Sequence, residues 1–382
     1  MKRYLSITIT SIFLFLSIQL FSQESNVKKN ADGKDWSQLK HTWKAKWITH
    51  PSASTLDYGV FLFRRTFDLD DIPAEYIIYV SGDNRYRLYV NGHKAGDGPA
   101  RGNLLNWRYE TIDIASYLQK GKNIIAAEVV NFGEYRHAEQ HSAQTAFILQ
   151  SDSTNRVIIN TGDTKWKVTK NMAYDYIPIT SDSVGGYYAA GPCDRIDASL
   201  HPWGWKEIHF DDDDWLKPRV ARTEAAVGRN FLFGASWFLV PRNIPMMEEK
   251  IVRIQKVIRS EGIQPHDGFL KNEKALTITP NTKASILIDQ TWLTIGYPEL
   301  ITSGGKGSKI KITYAESLFE TIDPKNLDTD DHFNVRLRKG NRDETEGKHI
   351  MGYYDIIYPD GGDNRLFKTL WYRTYRFIQL DI

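Results

Sequence analysis

Short apolar segments separated by turns run through this chain from about residue 36 to its end, and a 3.6-residue apolar repeat is almost missing. Residues 60–67 (VFLFRRTF), 76–80 (YIIYV), 86–90 (YRLYV) and 123–130 (NIIAAEVV) are rich in β-branched and aromatic side chains. They are too short for buried helices and are expected to be strands. The pattern returns at 284–289, 309–314, 353–358 and 371–380. Asn91-Gly92 follows one such segment directly. A type I′ turn needs positive φ at both central residues, which this pair accepts, so a hairpin and a β-meander are expected. Residues 246–261 place Met247, Ile251, Ile254 and Ile258 near helical spacing, but 251–258 (IVRIQKVI) also alternates, and strand is favoured. Residues 115–118 make a helical turn at most. The fold class is all-β.

Residues 1–22 join Lys2 and Arg3 to an apolar run from Tyr4 to Leu20 and a short small-residue end, the layout of a secretory signal peptide. Its removal takes two basic residues from a chain of net charge +2 and leaves a neutral mature protein. With charges interspersed, a nucleic-acid binder is not expected, because phosphate contacts need a basic excess. The expected destination is the periplasm or the medium, with no membrane span after cleavage. The polar stretch 24–34 reads as a loosely packed leader. Cys193 is alone, so no intramolecular disulfide can form and stability rests on burial. About 360 mature residues exceed what one core usually serves. Two domains are expected, 36–240 and 241–382, divided where Gly234, Pro241 and Pro245 interrupt the strand pattern.

Residues 81–92 (SGDNRYRLYVNG) and 98–114 (GPARGNLLNWRYETIDI) resemble the N-terminal sugar-binding-type sandwich of bacterial α-L-rhamnosidases. The likeness extends over 43–48 (WKAKWI), 194–198 (DRIDA), 202–205 (PWGW), 210–215 (FDDDDW), 296–300 (GYPEL), 314–318 (YAESL), 339–344 (KGNRDE) and 371–378 (WYRTYRFI). It implies two β-sandwich domains, the first a galactose-binding-like jelly roll, followed in the family by a helical barrel that carries the catalytic acid and base. For this chain it implies a carbohydrate-binding accessory portion, inactive alone, that recognises rhamnose-containing oligo- or polysaccharide. Two alternatives stand beside it. One is rhamnoside hydrolysis with a separately encoded or split-gene catalytic barrel; the other is a structural interaction module that braces a partner.

Glycoside hydrolysis generally needs two carboxylates across the sugar. Glu299, Asp343, Glu344 and Glu346 are the ones to watch, and they are expected on loops that face solvent or the family's catalytic barrel, so no catalytic residue is assigned. His137 and His141 stand four apart, but Glu139 is displaced from the zinc-protease spacing and no third ligand is identifiable, so a polar loop is expected. Residues 234–238 (GASWF) lack the closing Gly of a nucleophile elbow. Residues 303–308 (SGGKGS) lack the ending of a phosphate loop and read as a hairpin loop. Cys193 is expected to pack quietly.

Sugar hydroxyls ask for planar polar partners, and a pyranose face asks for an aromatic ring. Asp97, Arg101, Asn103, Asn106 and Trp107 lie in the connection after Val90, while Asn131, Glu134 and Tyr135 follow a strand ending at Val130. The two loops are expected to meet at one rim, with Asp97, Arg101, Asn106, Trp107, Asn131 and Glu134 as the binding set. Trp107 and Tyr109 have an equal alternative, pointing into the core. Asp83-Asn84 is a second polar pair, with a plain β-turn as its alternative. Calcium is a candidate cofactor without assigned ligands. The run 211–214 (DDDD) reads as an exposed turn, since adjacent strand residues face opposite sides.

Overall fold

A computed structural model of the chain describes residues 41–155, 157–180, 184, 189–222, 226–227, 237–320 and 338–382. Residues 1–22, where a signal peptide is expected, the polar stretch 24–34 and residues 231–236 lie outside them. Among the described residues no helix is long and apolar enough to cross a membrane.

Two sheets form the first unit. One has eight strands, in the order His41–Thr42, Ala226–Val227, Leu239–Pro241, Trp107–Asp113, Ile77–Asp83, Ala146–Ser151, Trp47–Thr49 and Arg219–Arg222. The other has five: Lys167–Lys170, Gly59–Leu69, Gly121–Asn131, Arg85–Val90 and His93–Gly98. The two-residue period sends Phe61, Phe63, Leu88, Ala127 and Val129 from the five-stranded sheet against Ile78, Val80, Phe147 and Leu149 from the other. The outer faces are covered too. Trp47, Trp107, Trp237 and Leu239 form a layer on the eight-stranded sheet. Trp205, with Phe210 and Trp215, covers Leu62, Ile124 and Ala126 on the five-stranded one. A sheet covered on both sides reads as a nearly unbroken apolar run, as 60–67 does. Full burial of each such large side chain contributes roughly 1.5–3 kcal/mol.

The expected hairpin is present, with φ of 49° at Asn91 and 82° at Gly92. The expected meander is not. Ile77–Asp83 lies in one sheet and Arg85–Val90 in the other, so the chain changes layers at Asn84 and again between Gly98 and Trp107. The acidic run also differs from a plain exposed turn. Asp212 turns inward and pairs with Arg64 at 2.7 Å and Lys167 at 2.8 Å. Arg64 is almost fully buried under Phe210 and Trp215, and leaving it unpaired there would be costly.

A seven-stranded sheet dominates the second unit, in the order Tyr174–Ile177, Cys193–Asp197, Tyr353–Tyr358, Ile310–Ala315, Arg373–Asp381, Ser285–Gly296 and Lys256–Glu261. Its first two strands precede residue 240, so a cut at 240 does not separate the sheets. Cys193–Asp197 enters through a parallel pairing with Tyr353–Tyr358, and Asp194 and Asp355 clasp Arg373 at 3.2 and 2.6 Å. Glu299–Thr302 and Arg365–Lys368 form a two-stranded sheet, and their Leu300 and Phe367 pack against Ile312 and Ile357. Residues 303–308 therefore link strands of different sheets rather than closing a hairpin. The strand expected within 246–261 is confined to Lys256–Glu261.

Candidate functional site

The loop that follows His93–Gly98 is held at its root by Glu110. One carboxylate oxygen accepts from the Ala100 N–H at 2.8 Å, the other from the Tyr86 hydroxyl at 2.8 Å, and Arg242 adds a bond at 3.2 Å. Burial raises the Glu110 pKa, and these donors work against the rise. A Cβ on Gly98 would lie 2.4 Å from Glu110 Oε2, so glycine is required for the approach. The second loop begins at Asn131, whose amide donates to Thr55 O at 3.1 Å and Thr145 Oγ1 at 2.8 Å and accepts from the Gly133 N–H at 2.8 Å.

The two loops converge on Trp371, which stands just ahead of the last strand. The Arg85 guanidinium lies 4.6 Å from the ring centroid and that of Arg101 5.7 Å. The His137 ring centroid is 4.3 Å away, and Phe132 meets the His137 imidazole edge-on at 4.8 Å. Gly191 closes over the imidazole, where a Cβ would come within 2.8 Å. His137 is 3% exposed and Trp371 5%. Among the described residues neither imidazole nitrogen has a hydrogen-bond partner, and neither does the indole Nε1. A buried donor or acceptor left unmet costs about 1–3 kcal/mol. Burial drives the His137 pKa down to about 3, helped by Arg101, Arg373 and Arg85. The imidazole is therefore neutral near pH 7, with one nitrogen a donor and the other an acceptor.

Beside this cluster a cleft is lined by Arg85, Arg87, Asp97, Glu128, Tyr297 and Leu370. Arg87 pairs with Glu128 at 3.2 Å and donates to the carbonyls of Thr369 and Leu370, which ties the first unit to the second. Burial raises the Asp97 pKa, but Lys94, 2.5 Å away, outweighs it and leaves the carboxyl below its usual range. On the other side Tyr135 stacks on Tyr176 at 4.2 Å, and Tyr58 lies 5.2 Å from Tyr176.

The expected binding set divides. Arg101 is exposed and faces Trp371. Asp97 lines the cleft, and Glu134 is exposed next to the stacked tyrosines. Asn106 instead closes its own loop on Asn103, with bonds of 3.0 and 3.2 Å. Two assignments are corrected. Trp107 is 2% exposed in the outer aromatic layer, its Nε1 donating to Ser81 Oγ at 3.1 Å, because the strand period turns it inward. Asn131 is buried and uses its side chain to shape the loop. His137, Trp371 and Arg85 were missed, since a sequence carries no sign that a residue just ahead of the last strand meets two loops more than 200 positions upstream.

Asp83 and Asn84 are fully buried rather than a surface turn. The Asp83 carboxylate accepts from the Ala143 N–H at 2.7 Å, Trp237 Nε1 at 2.9 Å and Asn84 Nδ2 at 2.8 Å. Asn84 Oδ1 in turn accepts from the Phe132 N–H at 2.8 Å. Glu344 and Glu346 are exposed, while Asp343 pairs with Arg376 at 2.7 Å and Glu299 with Lys368 at 3.1 Å. Cys193 is buried, which pushes its thiol up, and the Tyr354 N–H donates to its sulfur at 3.3 Å. Among the described residues no group of three His, Cys, Asp or Glu side chains is arranged to hold a metal ion.

Residues 72–231 match the α-L-rhamnosidase N-terminal domain. An α-L-rhamnosidase from Streptomyces avermitilis is 23% identical over an alignment of 201 residues, with 47% of this chain and 16% of that protein covered. The GH78 rhamnosidase of Bacillus sp. GL1 superposes over 89% of this chain and 53% of its own, at 14% identity and a TM-score of 0.65. The Streptomyces avermitilis enzyme solved with L-rhamnose superposes over 85% and 27%, at 16% identity and a TM-score of 0.51. The chain thus spans about half or less of the length of these relatives. The two loops that converge on Trp371 lie in the stretch the family match covers, and over residues 72–231 the chain is similar to the α-L-rhamnosidase N-terminal domain.

Proposed function

We propose that this chain is the carbohydrate-binding accessory portion of an α-L-rhamnosidase, exported to the periplasm or medium, where it recognises rhamnose-containing glycans. Bond cleavage then falls to a catalytic domain beyond these 382 residues. The observation that carries the reading is the convergence of two sandwich loops on Trp371, which puts an exposed cation beside aromatic rings at one rim. The relative solved with L-rhamnose supports the sugar class. The carboxylates considered for catalysis are exposed or engaged in surface ion pairs, which supports a binding role. Calorimetric titration of the purified chain with L-rhamnose and rhamnogalacturonan fragments tests this. Heat and a change in tryptophan fluorescence at millimolar sugar are expected, and silence in both rejects it. Turnover of p-nitrophenyl rhamnoside by the chain alone would reject the division of labour.

A second reading, docking of a separately encoded catalytic barrel, draws on exposed apolar side chains of the second unit. Trp292, Leu293 and Ile295 are more than half exposed, and Ile301 lies opposite Leu366 with both open to solvent. A monodisperse, freely soluble monomer in light scattering argues against it.

A further inference from the structure

We infer that the junction around Trp371 binds a sugar acid, a pyranose carrying a carboxylate next to hydroxyls, as in a uronate. This deepens the glycan reading and rests on it. Charge is the first argument. Four carboxylates of the neighbourhood are already engaged, Glu128 with Arg87, Asp97 with Lys94, and Asp194 and Asp355 with Arg373, while Glu134 is exposed beside Tyr135. Arg85 donates to the Pro99 carbonyl, lies over the Trp371 ring and acts on the Asp97 carboxylate nearby, whereas among the described residues Arg101 lies against the ring with no carboxylate partner. Uncompensated positive charge therefore reaches solvent at Arg101.

Hydrogen-bonding capacity is the second, independent argument. Trp371 Nε1 is a donor, while the neutral His137 imidazole offers one donor and one acceptor, and all three nitrogens are buried without partners. A simple anion such as sulfate accepts only, and would leave the imidazole acceptor unmet. A neutral sugar would leave Arg101 uncompensated. A carboxylate with an adjacent hydroxyl satisfies both: its oxygens accept from the Arg101 fork and the indole N–H, and the hydroxyl donates to the imidazole. Arg101, exposed and held only against the ring, is the part that withdraws to admit the ligand.

The test is calorimetry on the full chain with sodium D-galacturonate, methyl D-galactoside, sodium sulfate and L-rhamnose as probes. Galacturonate is expected to bind in the millimolar range or better, and the uncharged galactoside at least about tenfold more weakly. Arg101→Ala, a surface change that leaves the melting temperature unaltered, should weaken galacturonate about tenfold. His137→Leu should weaken it as well. Equal affinity for galacturonate and galactoside, equal affinity for sulfate, or no effect of Arg101→Ala each overturns the inference. Binding of L-rhamnose without galacturonate removes the sugar-acid site and leaves the glycan reading standing; absence of all binding removes both.

Discussion

Two buried polar clusters flank the loop ends of the first unit, one around Asp83 and one around His137, and they are equally hidden from water. Around Asp83 the carboxylate gathers an indole N–H, backbone N–H groups and the Asn84 amide, and Asn84 goes on to bind Phe132. Around His137 three nitrogens have no partner and the Arg101 guanidinium has no carboxylate among the described residues. Native proteins seldom leave buried polar atoms unpaired, and the exceptions ask for an explanation. Burial alone therefore does not separate scaffold from site. The bonding differs: the Asp83 carboxylate has its donors within the fold, while the His137 and Trp371 nitrogens have none among the described residues.

The two tryptophans on either side of this contrast set up its strongest test. Trp107 bonds Ser81 and packs in the outer aromatic layer, whereas Trp371 has an idle indole N–H. Trp107→Ala should cost about 3–5 kcal/mol in a urea melt, as large-to-small changes in a close-packed core do. Sugar affinity per folded molecule should stay unchanged. A stable Trp107→Ala protein that has lost its sugar response would invert the assignment.

Asp83→Ala comes next, at about 3 kcal/mol, because it strands the Trp237 indole and two backbone N–H groups inside the protein. Asp83→Asn keeps an acceptor and should cost less than half as much. If both substitutions cost under 1 kcal/mol, the Asp83 cluster is not the anchor that its bonding suggests.

Acid titration sets the clusters against each other through a third group. His137 has a folded pKa of about 3 against 6.5 unfolded, so its contribution is present above pH 6.5 and is lost as pH falls toward 3. Asp194 runs the other way. Burial, with Asp355 adding and Arg373 opposing, lifts it above the usual carboxylate range, so its contribution is present in acid and is lost as pH rises through the raised pKa. Between pH 7 and 5 the two oppose each other. Asp194→Asn removes only the second, and His201, which burial drives down to about 4, adds to the first, so stability of this variant should fall from pH 7 to pH 5. The fall should be smaller when His137→Leu is added; an equal fall with and without that substitution means His137 keeps its proton in the folded chain.

How much of this was legible beforehand follows from the range of each signal. Two-residue alternation and Asn91-Gly92 are local, so strands such as Gly59–Leu69, Gly121–Asn131 and Tyr353–Tyr358 and one hairpin could be read directly. Sheet membership is not local. Nothing near Asn84 announces that the chain changes layers there, and nothing near 193–197 announces a parallel partner at 353–358. The site shows the same limit. Arg101 and the meeting of two loops were within reach of loop composition, whereas Trp371 and His137 become partners only through a tertiary contact. Trp107 failed because an aromatic next to polar residues looks alike whether its strand faces in or out.

His137→Leu gives the smallest shift and the sharpest reading. Leucine nearly matches the imidazole in volume and carries no polar atom, so it removes two unmet nitrogens without opening a cavity between Phe132, Trp371 and Gly191. A gain of about 1 kcal/mol at pH 7.5 is expected from urea midpoints, since an unsatisfied buried group has been deleted. At pH 5 the gain should grow to about 3 kcal/mol, because the wild-type chain there also carries the cost of keeping a histidine neutral. Most substitutions at a buried position destabilise, so a gain that increases in acid has few other causes. A loss exceeding 1 kcal/mol at both pH values would mean that the imidazole already has its partners in the free protein, and the contrast with Asp83 would disappear.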